Sequence, residues 1–228
     1  MIVDAVIPAL DEEDNILHVL AGLADRGLRR VVVVDNGSQD QTAARAVEGG
    51  AEVVYESQKG YGAACLAGLE YLAHDPPDTV LFLDADGADD PDDVQALLDP
   101  IAAGEADLVI GSRTTGRIEP GALTPVQHFG NLLSCVLIQL IFRVKFTDLG
   151  PFRTIRWTAL QRLDMADRDF GWTVEMQAKA ARRRLRCVEV PVHCKNRYAG
   201  QSKISGTIRG SIRAGTKILY TIGREALR

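Results

Sequence analysis

Two aspartates one residue apart, Asp84 and Asp86, end an apolar run that reads Val-Leu-Phe-Leu-Asp-Ala-Asp from Val80. Carboxylates held about 4 Å apart repel by roughly 4 kcal/mol at an effective dielectric near 20, so the pair favours a proton, a basic partner or a divalent cation. Hard oxygen ligands suit Mg2+ or Mn2+. A solvated strand-to-loop turn, where Asp is common, accounts for the same residues, and the pair alone leaves both readings open. The run before it has the composition of a strand buried in a parallel sheet. Its tip would then lie at the carboxyl edge, where open α/β folds bind ligands.

The elements that must hold this tip alternate along the chain. Strand-like runs recur at Ile2–Ile7, Val31–Asp35, Glu52–Tyr55, Thr79–Asp84 and Asp107–Gly111, with helical spacing between them, the pattern of a mostly parallel α/β sheet. Helices are expected from Asp11 or Glu12 to Gly27, from Gln39 to Val47, from Gly60 to Ala73, and from Pro91 to Gly104. Beyond Gly111 the rhythm changes. A Gly/Pro/Thr-rich loop, Thr114 to Pro125, leads to an apolar segment, Leu132 to Phe142, too short to cross a bilayer but suited to a buried helix or one resting on lipid. A loop and strand over Thr147–Arg156, a helix over Val174–Arg183 and a strand over Leu185–Val192 follow. From Ile204, the residues Ile208, Ile212, Leu219 and Ile222 mark one helical face, with Arg209, Arg213 and Lys217 beside it. The expected division is a catalytic domain over 1–206 and a basic amphipathic helix over 207–228.

The chain of 228 residues, 46% apolar with a formal charge of −5, can bury a large core and is neither disordered nor fibrous. No window reads as a membrane-spanning helix and no leader is evident, so a cytoplasmic location is expected. Cys65, Cys135, Cys187 and Cys194 lie far apart without a C-x-x-C pair, which argues against a zinc site or a disulfide framework. From Lys195 to Arg228 there are eight Lys or Arg and one acid, eight minus one or +7, a balance that attracts an anionic partner. That tail lacks the interleaved aromatics of a nucleic-acid binder. A helix lying peripherally on an anionic membrane and a helix packed on its own domain both fit it. Nothing in the pattern indicates an oligomeric state.

Several motifs arrive together in order: Ile7-Pro8-Ala9-Leu10-Asp11-Glu12, Val34-Asp35-Asn36-Gly37-Ser38, Lys59-Gly60-Tyr61-Gly62 and Asp84-Ala85-Asp86. In this order the chain resembles a family 2 glycosyltransferase of the GT-A fold. Gly111-Ser112-Arg113, the run Thr147 to Arg153, Trp172-Thr173-Val174-Glu175-Met176, and Asn196 to Lys203 are similar to the dolichyl- and polyprenyl-phosphate sugar transferases. The resemblance extends from about Ile2 to Gly206.

It implies that Pro8, Ala9, Glu12, Asp35, Lys59, Asp84 and Ala85 bind a nucleotide diphosphate sugar, a UDP- or GDP-hexose. It implies that Asp84 and Asp86 hold Mg2+ or Mn2+ against the diphosphate, with the ion as Lewis acid. Asp86, Arg113, Asp148 and Arg153 become the candidate catalytic residues. Arg113, Arg153, Glu175, Arg197, Ser202 and Lys203 become the acceptor and phosphate set, since guanidinium forks match phosphate oxygens. Surface arginines also form ordinary solvated salt bridges. Asn36 and Ala88 depart from the family pattern, and Gln127-His128 stand where relatives often carry Arg. A hydroxyl acceptor must lose its proton to a placed base, for which Asp148 and Glu175 are the obvious candidates; a phosphate monoester, with a second pKa of about 6, is already anionic. The expected reaction is inverting transfer of a hexose to a polyprenyl phosphate. The rivals are transfer to a soluble hydroxyl acceptor and a non-catalytic nucleotide-sugar-binding module.

Overall fold

In the computed structural model, which describes residues 1–200 and 208–227 with the stretch 208–214 as backbone, the run before the acid pair is a central strand. This strand, β4 (Thr79–Phe82), has every side chain buried. It pairs in parallel with β1 (Val3–Ala9) and antiparallel with β6 (Arg153–Arg156). β2 (Arg30–Asp35) and β3 (Glu52–Tyr55) continue in parallel beyond β1, and β5 (Leu108–Ile118) and β7 (Cys187–Cys194) lie beyond β6. The order β3-β2-β1-β4-β6-β5-β7 makes one seven-stranded, mostly parallel sheet. The chain grows outward from β1 to β3, then returns to β4 on the other side of β1. The carboxyl ends flanking that reversal form the crevice where such sheets take ligands.

Helices cover both faces. α1 (Ile16–Leu23), α2 (Thr42–Glu48) and α4 (Val94–Ala102) pack on one face with Ile7, Val33, Leu81 and Val109. α3 (Tyr61–Leu72), α5 (Pro125–Phe142), α6 (Trp157–Leu163), α7 (Trp172–Arg182) and α8 (Ile208–Ala226) lie on the other, with Val6, Val34, Phe82 and Ile110. Alternate residues of each strand serve opposite cores, as the two-residue strand period requires. All four cysteines are free, Cys187 partly and the others fully buried. Burial pushes the Cys135 and Cys187 thiols up to about 12 and Cys194 to about 11.

Several elements differ from expectation for identifiable reasons. α1 starts at Ile16, not near Asp11 or Glu12, because Asp11 has a φ of 48° and Glu12 and Asn15 turn their side chains to partners elsewhere in the chain. The segment expected as a loop from Thr114 instead extends β5 to Ile118, pairing Arg117 with His193 and Ile118 with Cys194. Gly116 makes this approach possible, since a Cβ there would meet the Val192 carbonyl oxygen at 2.1 Å. α5 begins at Pro125 behind a reciprocal cap between Thr124 and Gln127 and runs 18 residues. By length and composition it can cross a membrane, which corrects the expectation that no window could. Only Ser134, Cys135 and Ile138 of α5 are buried; Val126, Phe129, Leu132, Leu133, Val136, Leu140 and Ile141 are exposed.

Among the described residues of α8, Ile222 is buried, Lys217 pairs with Asp167 at 3.0 Å, and Arg224 pairs with Glu175 at 2.8 Å. This half of the helix is therefore packed on its own domain, against α5 and α7. The side chains of Ile208, Arg209, Ile212 and Arg213 lie outside the described residues.

α3 enters the crevice against the segment that joins α6 to α7. A Cβ on Gly62 would meet the Asp167 carbonyl oxygen at 2.0 Å and its carbon at 2.8 Å, backbone atoms that cannot step aside. Gly62→Ala is expected to destabilise the fold by about 2–3 kcal/mol, a fall of roughly 5–10 °C in melting temperature by calorimetry.

Candidate functional site

A cavity of about 340 Å3 opens at the carboxyl ends of β1 and β4. Pro8, Ala9, Leu10 and Glu12 form one wall; Asn36, Lys59, Gly60 and Tyr61 form a second; Asp84, Ala85 and Asp86 form the third. Ala64, Arg197, Asp169 and Phe170 complete the lining. The β1 residues reach it because the strand ends at Ala9, and the β4 acids because the strand stops two residues earlier, at Phe82.

Asp84 is the electrostatic centre. Its backbone N–H donates to Asp89 at 3.1 Å, and the Tyr61 side chain lies beside its carboxylate. Its buried Oδ1 has no hydrogen-bond partner. Burial, followed by the charges of Asp86 and Asp89, holds its carboxyl well above the usual carboxylate range. Burial and Asp86 likewise push Asp89 up to about 7. Asp86 accepts from the Ala88 N–H at 2.9 Å and from Arg197 at 2.8 Å. Arg197 also donates to Glu12 at 2.6 and 2.9 Å, so one guanidinium spans the β1 and β4 walls. Asn15 fixes the same segment by accepting from the Ala199 N–H at 2.8 Å, and His18 stacks on Tyr198 with ring centroids 4.2 Å apart.

A cluster of acids at a raised pKa, with an orphaned buried oxygen in the cavity wall, fits a divalent cation. Among the described residues no group of three or more His, Cys, Asp or Glu side chains is arranged to hold an ion by itself. Mg2+ characteristically takes only one or two carboxylates and completes its shell with water and phosphate oxygens. Asp84 and Asp86 meet that requirement.

The other sequence candidates separate into groups. Lys59 lines the cavity. Asp35 does not; it is buried and accepts from the Ser38 N–H at 2.9 Å, which caps the turn after β2. Its neighbour Asn36 takes the wall position, donating to the Glu56 and Gln58 carbonyls and accepting from the Gly60 N–H at 2.7 Å. Arg113 lies on β5, two strands from β4, its Nε and a terminal nitrogen donating to the two oxygens of Asp148 at 2.8 and 2.7 Å. Asp148 is fully buried and also accepts from the Arg113 N–H, so it orients Arg113.

Arg153 is not presented to a ligand. It is fully buried, donates to the Leu149, Gly150 and Thr173 carbonyls and to Gln177, and desolvation lowers its pKa to about 10. Glu175 is equally enclosed, paired with Lys179 at 3.0 Å and Arg224 at 2.8 Å. Both are enclosed by protein partners; their acceptor roles are what the motifs imply. Ser202 and Lys203 lie outside the described residues. Asp169 and Phe170 carried no signal of spacing in the sequence, and Tyr61 stood in a quoted motif without an assigned role.

The chain is similar to known glycosyltransferases. The profile described as Glycosyl transferase family 2 matches residues 4–169. An uncharacterized glycosyltransferase of Mycobacterium tuberculosis is 38% identical over 92% of this chain and 93% of its own. The undecaprenyl-phosphate mannosyltransferase of Micrococcus luteus is 31% identical over 90% of this chain and 88% of its own. Among solved structures, glucosyl-3-phosphoglycerate synthase from Mycobacterium tuberculosis, in complex with Mn2+, UDP-glucose and phosphoglyceric acid, superposes with a TM-score of 0.77. It is 23% identical and covers 99% of this chain and 79% of that one, so it speaks to the fold.

Proposed function

The chain belongs to glycosyl transferase family 2, and from that premise we propose that it is an inverting, metal-dependent hexosyltransferase that moves the sugar of a nucleotide diphosphate donor onto a polyprenyl phosphate. The donor's nucleotide lies along the β1 wall and the Asn36–Lys59 wall, with Glu12 positioned to accept from a base or ribose donor. Its diphosphate lies against Asp84 and Asp86. These two would hold Mg2+ or Mn2+, and the ion would supply Lewis-acid stabilisation of the negative charge on the diphosphate. Arg197, between Glu12 and Asp86, supplies a fixed positive charge at the same edge. The Mn2+ and UDP-glucose named with the structurally similar synthase support this reading of the donor side.

The observation that carries the acceptor assignment is the exposed apolar face of α5. Asn131 on that helix donates to the Thr147 carbonyl at 3.1 Å and accepts from the Leu149 N–H at 2.9 Å, tying it to the segment whose Asp148 aims Arg113. An apolar surface thus adjoins an oriented guanidinium, the two features a lipid phosphate requires. The carboxylates named as candidate bases, Asp148 and Glu175, are buried and engaged with cations, an arrangement suited to an acceptor that needs no deprotonation. The enzyme would work at a membrane surface, through α5.

A second reading, transfer to a small hydroxylated acceptor, is favoured by Asp169, a carboxylate in the cavity lining that could accept a proton. Radiolabelled UDP- and GDP-hexoses with Mn2+, offered undecaprenyl phosphate or phosphoglyceric acid, separate the two. The expected outcome is a lipid-linked product with kcat/KM at least about a hundredfold above that for the soluble acceptor. Turnover confined to the soluble acceptor overturns the assignment.

A further inference from the structure

Two buried carboxylates outside the cavity each face two ways. Glu175 accepts through Oε1 from Arg224 of α8 at 2.8 Å and Lys179 of α7 at 3.0 Å. Through Oε2 it accepts from the Ala166 and Asp167 N–H groups at 3.0 and 2.8 Å. Asp167 repeats the pattern. Its Oδ2 meets Lys217 at 3.0 Å, the Thr221 hydroxyl at 3.4 Å and Arg224 at 4.0 Å, all from α8. Its Oδ1 accepts from the Asp169 and Gly171 N–H groups at 2.9 and 3.1 Å. One oxygen of each acid is held by the C-terminal helix, and the other holds the backbone of residues 166–171.

That backbone is the back of the cavity. Asp169 and Phe170 line it, and the Arg168 carbonyl accepts from the Ala63 N–H at 3.0 Å where α3 begins. Gly60 and Gly62 have no Cβ, which lets this segment lie directly on the Lys59–Tyr61 wall; a Cβ on either would sit 2.0 Å from a carbonyl oxygen of residue 168 or 167. A chain of contacts thus runs from α8, through two acids, to the donor cavity, and each link from α8 to the 166–171 backbone is a charge pair or a charge-assisted hydrogen bond.

We propose that α8 is a positioning element of the donor cavity, with Lys217 and Arg224 as positioning residues that set Asp169 and Phe170 without touching the donor. This rests on reading the cavity as the donor site. Packing alone does not account for the arrangement, because apolar side chains could seat α8 on α5 and α7 without desolvating acids that cost free energy to bury. The cations neutralise carboxylates whose second oxygens preorganise a loop, as supporting shells do around binding groups.

The experiment uses the whole protein with Mn2+. Calorimetric titration of the wild type with UDP- and GDP-hexoses comes first; no binding there defeats the donor reading itself. With binding established, Lys217→Gln is expected to raise the donor KM about tenfold, leave the acceptor KM unchanged, and speed hydrogen exchange at the Asp169 and Gly171 amides, while Lys217→Arg restores all three. Thr221→Val removes a neutral hydroxyl from the same oxygen without stranding a charge, and is expected to raise the donor KM by about two- to threefold. A lowered melting temperature in Lys217→Gln with donor KM and amide exchange at wild-type values overturns the proposal, as does an unchanged donor KM in Thr221→Val.

Discussion

Asp84→Asn is expected to reduce turnover about a thousandfold, roughly 4 kcal/mol of barrier, while leaving a folded protein. The substitution keeps the shape but replaces a hard anionic ligand by a neutral amide, which binds Mg2+ or Mn2+ poorly. The folded state should gain stability without an ion, because the charge removed is buried, has an unpartnered Oδ1 and faces Asp86 and Asp89. Two measurements check it together. Thermal shift with Mn2+ and donor should show stabilisation in the wild type and little in the variant, and melting without ion should be equal or higher in the variant. Ion-dependent stabilisation retained in full by Asp84→Asn would place the cation elsewhere.

Arg153→Met is expected to cost about 3–5 kcal/mol of stability and leave little soluble protein, a larger effect than truncation of a phosphate-binding arginine would have. Methionine approximates the volume but carries no donors. The Leu149, Gly150 and Thr173 carbonyls would then lose a partner in an interior without water. Their segments carry Asp148, which aims Arg113, and the start of α7, so the damage would spread to both flanks of the site. Chemical denaturation compares Arg153→Met with Arg113→Met. If the Arg153 variant keeps wild-type stability and loses acceptor affinity, the guanidinium reaches a ligand after all.

The contrast between these arginines shows what a sequence can and cannot disclose. The run into Asp84 was legible because a strand buried on both faces reads as unbroken apolar residues, and acids at its end interrupt it sharply, while the partly exposed Glu52–Tyr55 was legible through its β-branched and aromatic residues. Arg113 and Arg153 look alike in sequence, since residue type specifies hydrogen-bonding capacity and leaves burial to the surrounding chain. The far half of β5 escaped for a similar reason: Gly116 and the Gly and Pro residues beyond it read as a loop locally, and pairing with β7, distant in sequence, overrides that preference. α6 spans one short stretch, Trp157–Leu163, with too few turns to establish a period. Asp169 and Phe170 sit in a segment whose backbone is held by Asp167 and Glu175, contacts with no spacing to detect. Asn36 stood out in the sequence as a missing acid, yet its amide supplies both the donors and the acceptor that shape the Glu56–Gly60 loop, which a carboxylate could not.

The cysteines carry a consequence for the enzyme's chemistry outside catalysis. A thiol reacts with peroxide, disulfides and alkylating reagents as its anion, and thiols shifted to about 11 or 12 hold almost none of it near neutrality. With no cystine in the fold to reduce and its thiols pushed up by burial, the protein offers thiol redox chemistry little to act on.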